Sequence, residues 1–462
     1  MVQEHLQDIL LGFNSLTVYR NLLKDGLVKD FLKLADLIVQ ASASVYDVAD
    51  SYGNFACRLL SSGKSFRRYL AEALLYDENI FTRQAEHSGR QPVDDRILKA
   101  AARDLDILSE GAAASSSLFK QAIHDAYHQS GSRVTEFITL LPVWETVSRP
   151  ESDSPAQEAD CTGILRSLLG TSGGWGGCLD NLMLFHRQNG CGIFARYLAF
   201  RWENTAGTSI LKGIKHPDPI RLSDLICYEE QRAQVVSNTR AFLKGYPANN
   251  LLLYGDRGTG KSSTVKALLN EFASSGLRMI EVPKKHLTAF PEVYKILRDR
   301  TQKFIIFIDD LAFEDNEENY TALKAALEGT IESKPDNVVL YATSNRRHII
   351  REKFSDRAGL LSGSPEDEIR AGDNIQEKLS LSDRFGMTLV FASPGKDEFL
   401  KIVEGIASAR GLAVSRDTLH KEALRWELWY NGRSPRSARQ FVDWLESEER
   451  ERGASSVYTS ES

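Results

Sequence analysis

Apolar residues early in the chain recur at the period of a helix. Phe31, Leu34, Leu37 and Ile38 fall on one face, and so do Phe66, Tyr69, Leu70 and Ala73. Glycine and proline are sparse within these runs, so residues 1–147 are expected to form a helical N-terminal domain. The stretch SRPESDSPAQEAD (148–160) is acidic, carries prolines and has no large apolar residue, which is the composition of a linker. The glycine cluster GTSGGWGG (170–177) lacks a Gly-Lys-Ser ending and reads as a flexible turn region. Residues 148–204 are therefore expected to be a linker and partly ordered connecting segment.

From about residue 205 the period changes. NNLLLY (249–254), LRMIEV (277–282), KFIIFI (303–308), NVVLYATS (337–344) and MTLVF (387–391) are short apolar runs separated by helical stretches. Runs of this kind are strands buried on both faces of a mostly parallel sheet, and their alternation with helices predicts an α/β domain over 205–392. Five strands with helices on both faces are expected. After residue 395 the pattern is helical only, which predicts a helical lid over 393–450; the tail 451–462 is polar and expected to be disordered. The chain shows no internal repeat.

The loop after the first of these strands, GDRGTGKSS, holds G-x-x-x-x-G-K-S at Gly255, Gly260, Lys261 and Ser262. Glycines let such a loop curl so that its N–H groups point at phosphates. Lys261 adds a mobile positive charge, and the Ser262 hydroxyl is placed to ligate magnesium. The helical SSTVKALLNEFASSG that follows aims its positive dipole end at the same oxygens. Gly258, Thr259 and Ser263 complete the cradle, while Asp256 and Arg257 hold the free positions and are expected to face solvent. The preceding apolar strand and the following helix are the context that a nucleotide site requires.

The third strand ends in Asp309 and Asp310. A carboxylate at such a strand end can hold magnesium through water, and a second one can activate the attacking water. With LRMIEV as an intervening strand, the phosphate-loop strand and the FIIFIDD strand are expected to be apart in sequence but adjacent in the sheet. The fourth strand ends in ATSN, which puts Asn345 where an amide can hold a water beside the γ-phosphate; an ordinary turn asparagine is the alternative. Arg384 precedes the fifth strand in LSLSDRFG and can reach a neighbouring subunit's nucleotide; a surface salt bridge is the plainer alternative. GRSPRSARQFVDWL places Arg436 near the start of a late helix that can fold over the nucleotide.

In this order, the motifs resemble the AAA+ superfamily of P-loop ATPases. The resemblance implies that Asn345 acts as sensor 1, Arg384 as arginine finger and Arg436 as sensor 2. It also makes LSDLICYEEQ (222–231) the adenine-side segment, with Ile226 as its packing residue. HPDPIRLSDLICYEEQ, DDLAFE, YATSNRRH, EKLSLSDRFG and RSARQFVDWL further resemble a bacterial AAA+-type family catalogued as domain of unknown function 815, over about residues 190–450. Many AAA+ proteins end the third strand in Asp-Glu, whereas several initiator-type members resemble this chain in ending it Asp-Asp. Asp309 is thus assigned to magnesium, Asp310 to the water, and Glu314 is a distant reserve. ATP and Mg2+ are the expected cofactors, with slow turnover.

Composition narrows the partners. A formal net charge of −6 argues against a broad basic surface, so nucleic acid would need a local patch. The five cysteines form no C-x-x-C pair and suit a reducing cytoplasm; no apolar run approaches the roughly 20 residues that cross a bilayer. His124 and His128 have helical i, i+4 spacing, but Asp125 between them is too short for a zinc-protease base. Arg346, Arg347 and His348 could face a pore, a neighbour or DNA, or be a solvated turn, and the long polar stretch 359–374 reads as an insertion. The leading expectation is an ATPase that assembles as a ring or partial ring and remodels or loads a protein partner. The alternatives are an ATP-dependent binding switch with negligible hydrolysis and a DNA-associated loader.

Overall fold

The structure, a computed structural model, describes residues 2–40, 43–127, 132–145, 157–171, 173–205, 208–311, 317–328, 334–345, 384–429 and 432–458. They form two compact units, Met1–Arg196 and Tyr197–Ser462. Glu314, His128, the basic turn Arg346–His348 and the segment 359–374 lie outside the described residues. No helix among the described residues is long and apolar enough to cross a membrane.

The first unit is helical, and its core grows from the faces that the periodicity marks. Phe31 on the helix Gly26–Gln40 is fully buried, with Phe66 4.5 Å away and Phe119 5.5 Å away between ring centroids. Asp104, also buried, accepts backbone N–H groups from Thr17 (2.8 Å), Val18 (2.7 Å) and Tyr19 (3.1 Å), fixing the turn after the first helix. Within the span expected as a connecting segment, helices Gln157–Gly170 and Leu179–Asn189 bring Leu168, Leu182 and Phe185 into this core. The glycine cluster there is a packed turn. Trp175 is fully buried and donates its indole N–H to Leu168 O at 2.8 Å. A Cβ at Gly174 would lie 2.0 Å from Asp106 Oδ1, so any larger residue there would push that carboxylate aside.

The second unit contains strands β1 (Ala199–Thr205), β2 (Thr208–Ile214), β3 (Leu251–Gly255), β4 (Leu277–Glu281), β5 (Lys303–Ile308), β6 (Val338–Ser344) and β7 (Met387–Phe391). They form one sheet in the order β2-β1-β4-β5-β6-β3-β7, parallel throughout except for the β1–β2 hairpin. The five expected strands are present, and the hairpin extends the edge to seven. Its alternation explains why it is missed by a search for continuous apolar runs: Phe200 and Trp202 are buried while Arg201 is exposed.

Strand order corrects one expectation. β3, which carries the phosphate loop, is not adjacent to β5; β6 lies between them. The tips of β5, β6 and β3 therefore stand side by side, with the Asn345 strand in the middle. The opposite edge of β7 is covered locally, as Tyr228 OH donates to Ala392 O (2.6 Å) and Gln231 Nε2 to Val390 O (3.3 Å). A small helical layer follows, made by Lys396–Ala409, Arg416–Trp429 and Pro435–Tyr458. Its core of Phe399, Ile402, Val403, Phe441 and Val442 also receives Ile226 and Cys227. The last of these helices extends into the tail expected to be disordered.

Candidate nucleotide site

β3 delivers the chain into a loop that only glycine can make. Gly255, Gly258 and Gly260 have φ of 140°, 77° and 89°, in the region L side chains rarely adopt. A Cβ at Gly255 would sit 2.0 Å from Phe391 O on the neighbouring strand, so the spacing of the motif reflects backbone packing as well as phosphate access. Lys261 opens the helix Lys261–Phe272 and is almost fully buried. Its ammonium donates to Gly255 O (3.0 Å) and Asp256 O (2.6 Å). Burial lowers its pKa to about 8, against the opposing pull of Asp256, Asp309 and Asp310. A phosphate group bound there would add to the pull of those carboxylates on the ammonium.

Beside Lys261, the strand tips build a polar cluster. Ser262 Oγ donates to Asp309 Oδ1 at 2.6 Å, and Thr343 Oγ1 donates to the same oxygen at 2.5 Å. Asp310 follows with φ 52°, a left-handed conformation that costs a non-glycine residue about 1 kcal/mol. Its backbone N–H points to Thr343 Oγ1 (3.0 Å), and its carboxylate Oδ1 accepts from Asn345 Nδ2 at 2.6 Å. Ser262 and Asp309 thus offer a hydroxyl and a carboxylate within one hydrogen bond of each other. Such a hard oxygen pair fits magnesium, which takes few protein ligands and keeps water and phosphate for the rest.

A narrow cleft with a cavity of about 40 Å³ lies beside the loop. Ile226, Tyr228, Phe391, Ile402 and Ile406 form apolar walls, Thr259 and Gly260 join it to the phosphate loop, and Arg439 comes from the lid. An apolar slot that shares residues with a phosphate cradle lies where the base and sugar of a nucleotide would sit, though at this volume it must open to admit them. Two consecutive left-handed residues, Cys227 (φ 66°) and Tyr228 (φ 62°), turn the chain here. The Tyr228 ring then lies 5.1 Å from Phe391. Gly405 on the first lid helix leaves room for Ile226, whose Cδ1 would be 2.5 Å from a Cβ there. The lid also meets the loop directly: Arg436 N donates to Gly258 O at 3.2 Å.

Residues 195–449, more than half of the chain, match the family described as "Protein of unknown function (DUF815)". The chain belongs to this family. Over 210 residues it is 24% identical to a replication factor C large subunit of Thermofilum pendens, covering 44% of this chain and 43% of that protein. Over 241 residues it is 25% identical to a putative 26S proteasome regulatory subunit homolog of Methanocaldococcus jannaschii, covering 45% of this chain and 63% of that protein. It thus spans less than two thirds of the length of either relative. A solved structure of RuvB from Thermotoga maritima, a Holliday junction branch migration motor, shares 16% identity with a TM-score of 0.34, over 50% of this chain and 65% of that one. The strand order carries the fold: this DUF815 member has an AAA+ P-loop core.

Within it, the structure brings together Gly255, Gly258, Thr259, Gly260, Lys261, Ser262, Asp309, Asp310 and Asn345 through the contacts above, with Arg436 against the loop. Ser263 follows, partly buried, in the first helical turn. Asp256 and Arg257 are exposed, but Asp256 is more than a solvent-facing residue: its Oδ2 accepts from Ser393 N at 2.8 Å, tying the loop to the exit of β7. Ile226 lines the cleft. Arg384 is set apart. β7 pairs in register with β3 from Met387↔Leu251 to Gly255↔Phe391, so Arg384 lies beyond the far end of the strand from the phosphate loop. Sequence reasoning missed Thr343, Tyr228 and Arg439. Thr343 had one signal: it stands two residues before Asn345, on the same strand face.

Proposed function

We propose that this DUF815 member binds ATP with Mg2+ and hydrolyses it to ADP and phosphate, with copies of the chain acting on one another. The observation that carries the reading is the cluster at the strand tips. It places the Ser262 hydroxyl, two carboxylates and the Asn345 amide within successive hydrogen bonds, next to a glycine loop with a buried lysine. In this reading Lys261 and the loop N–H groups hold the phosphates, and Ser262 and Asp309 hold the metal, which when bound neutralises charge on the phosphate oxygens. Asp310 takes a proton from water as its oxygen attacks the γ-phosphorus, and the bond from that phosphorus to the bridging oxygen breaks. Arg436 and the lid close over the nucleotide, while Arg384 serves the site of a neighbouring copy. Remodelling or loading of a macromolecular partner in a reducing cytoplasm is the use we assign to the turnover.

A second reading has an observation of its own. Asn345 holds the Asp310 carboxylate at 2.6 Å, and a carboxylate held this way is withdrawn from water; the chain would then be an ATP-dependent binding switch. Phosphate release and ATP binding by the full chain separate the readings, with Lys261→Ala as control. Turnover and binding that both vanish in Lys261→Ala support hydrolysis at this site. Binding without turnover supports the switch, and turnover unaffected by Lys261→Ala removes the site from the reaction.

A further inference from the structure

β6 does more than carry Asn345 to the site. Its residues Val338–Ser344 are all buried, and Thr343 is only 2% exposed. The Thr343 hydroxyl has one proton and two lone pairs, and the contacts fix how it uses them. Asp309 Oδ1, 2.5 Å away, is a carboxylate oxygen and must accept, so the hydroxyl donates to it. The Asp310 N–H, 3.0 Å away, must donate, so the hydroxyl accepts from it. The backbone of the same residue continues the pattern, as Leu311 N donates to Thr343 O at 2.7 Å. One residue therefore holds the whole turn 309–311, including the left-handed Asp310.

We propose that Thr343 is a positioning residue whose hydroxyl aims Asp309 at the metal and fixes the turn that presents Asp310, a role resting on the nucleotide-site reading above. It sets two carboxylates with one hydroxyl. The left-handed turn brings the Asp310 carboxylate to Asn345 at 2.6 Å although the side chain is one methylene shorter than glutamate. Without the hydroxyl, Asp309 loses a donor on the oxygen it shares with Ser262, and the Asp310 N–H keeps only its longer 3.2 Å contact to Asp309 Oδ1.

The test uses the full chain and compares wild type, Thr343→Val, which keeps the branched shape, and Thr343→Ser, which keeps the hydroxyl. A fluorescent ATP analogue is titrated at increasing magnesium, and turnover is measured on the same samples. The expected result is that Thr343→Val needs at least about tenfold more magnesium for half-maximal binding. Its kcat falls about tenfold or more with little change in KM at saturating magnesium, and Thr343→Ser restores both to within about threefold. Thr343→Ala, which also lacks the hydroxyl, replaces Thr343→Val if that variant does not fold. Variants without the hydroxyl that match wild type in magnesium dependence overturn the proposal, as does a serine variant no better than valine. A wild type that shows no magnesium-dependent ATP binding instead overturns the nucleotide-site reading.

Discussion

Lys261 shows how burial shifts the titration of a charged group. Its folded pKa of about 8 lies below the ordinary 10.5 because burial disfavours the ammonium. Between those values the unfolded chain binds more protons than the folded one. Lys261 therefore opposes folding fully below about pH 8, and that penalty is relieved as pH rises from 8 towards 10.5. Nucleotide affinity runs the other way, since phosphate needs the ammonium. ATP affinity should be flat up to about pH 8 and then fall by up to about tenfold per unit; calorimetric titration across that range checks it, and a flat profile to about pH 9.5 contradicts it. Lys261 was legible in the sequence because its neighbours in the loop are also its neighbours in the chain. Thr343 and the Asp256–Ser393 tie were not, because each joins residues from different strands and depends on the sheet order.

The buried strands were legible from their apolar runs, since both faces of β5 and β6 are covered. The β1–β2 hairpin was not, because an edge hairpin alternates and lacks that signal. The glycine cluster at 170–177 misled for a related reason: glycine marks a flexible turn and a tight approach equally well, and only Asp106 and Trp175 decide between them. The position of β3 beside β6, away from β5, likewise needed the tertiary structure. β7 has a direct consequence for Arg384. About 13 Å of strand separate Met387 from Phe391, where the phosphate loop is tied, and Arg384 starts further back still. Arg384→Ala should lower turnover by about 10³-fold while leaving ATP affinity within about twofold, as expected of an arginine that serves a neighbour's site. Equal kcat in variant and wild type would contradict that assignment.

The molecule joins a helical unit to an α/β P-loop core, and the two halves of the sequence announce this through their different periods. In the reading proposed above, the core takes a nucleotide at the cleft and magnesium at Ser262 and Asp309, and Arg384 at the far end of β7 serves a neighbouring copy. Turnover per chain should accordingly rise with protein concentration. The decisive measurement is phosphate release from Mg-ATP by the full chain and by Asp310→Asn, with ATP occupancy measured on both. Asparagine tolerates the left-handed backbone at 310, so the variant should fold and bind ATP within about twofold of wild type. Sustained release by the wild type that drops about 10²-fold or more in Asp310→Asn is the expected result. Equal rates from the two, or no release from a wild type with its site full of ATP, would contradict hydrolysis at the paired aspartates.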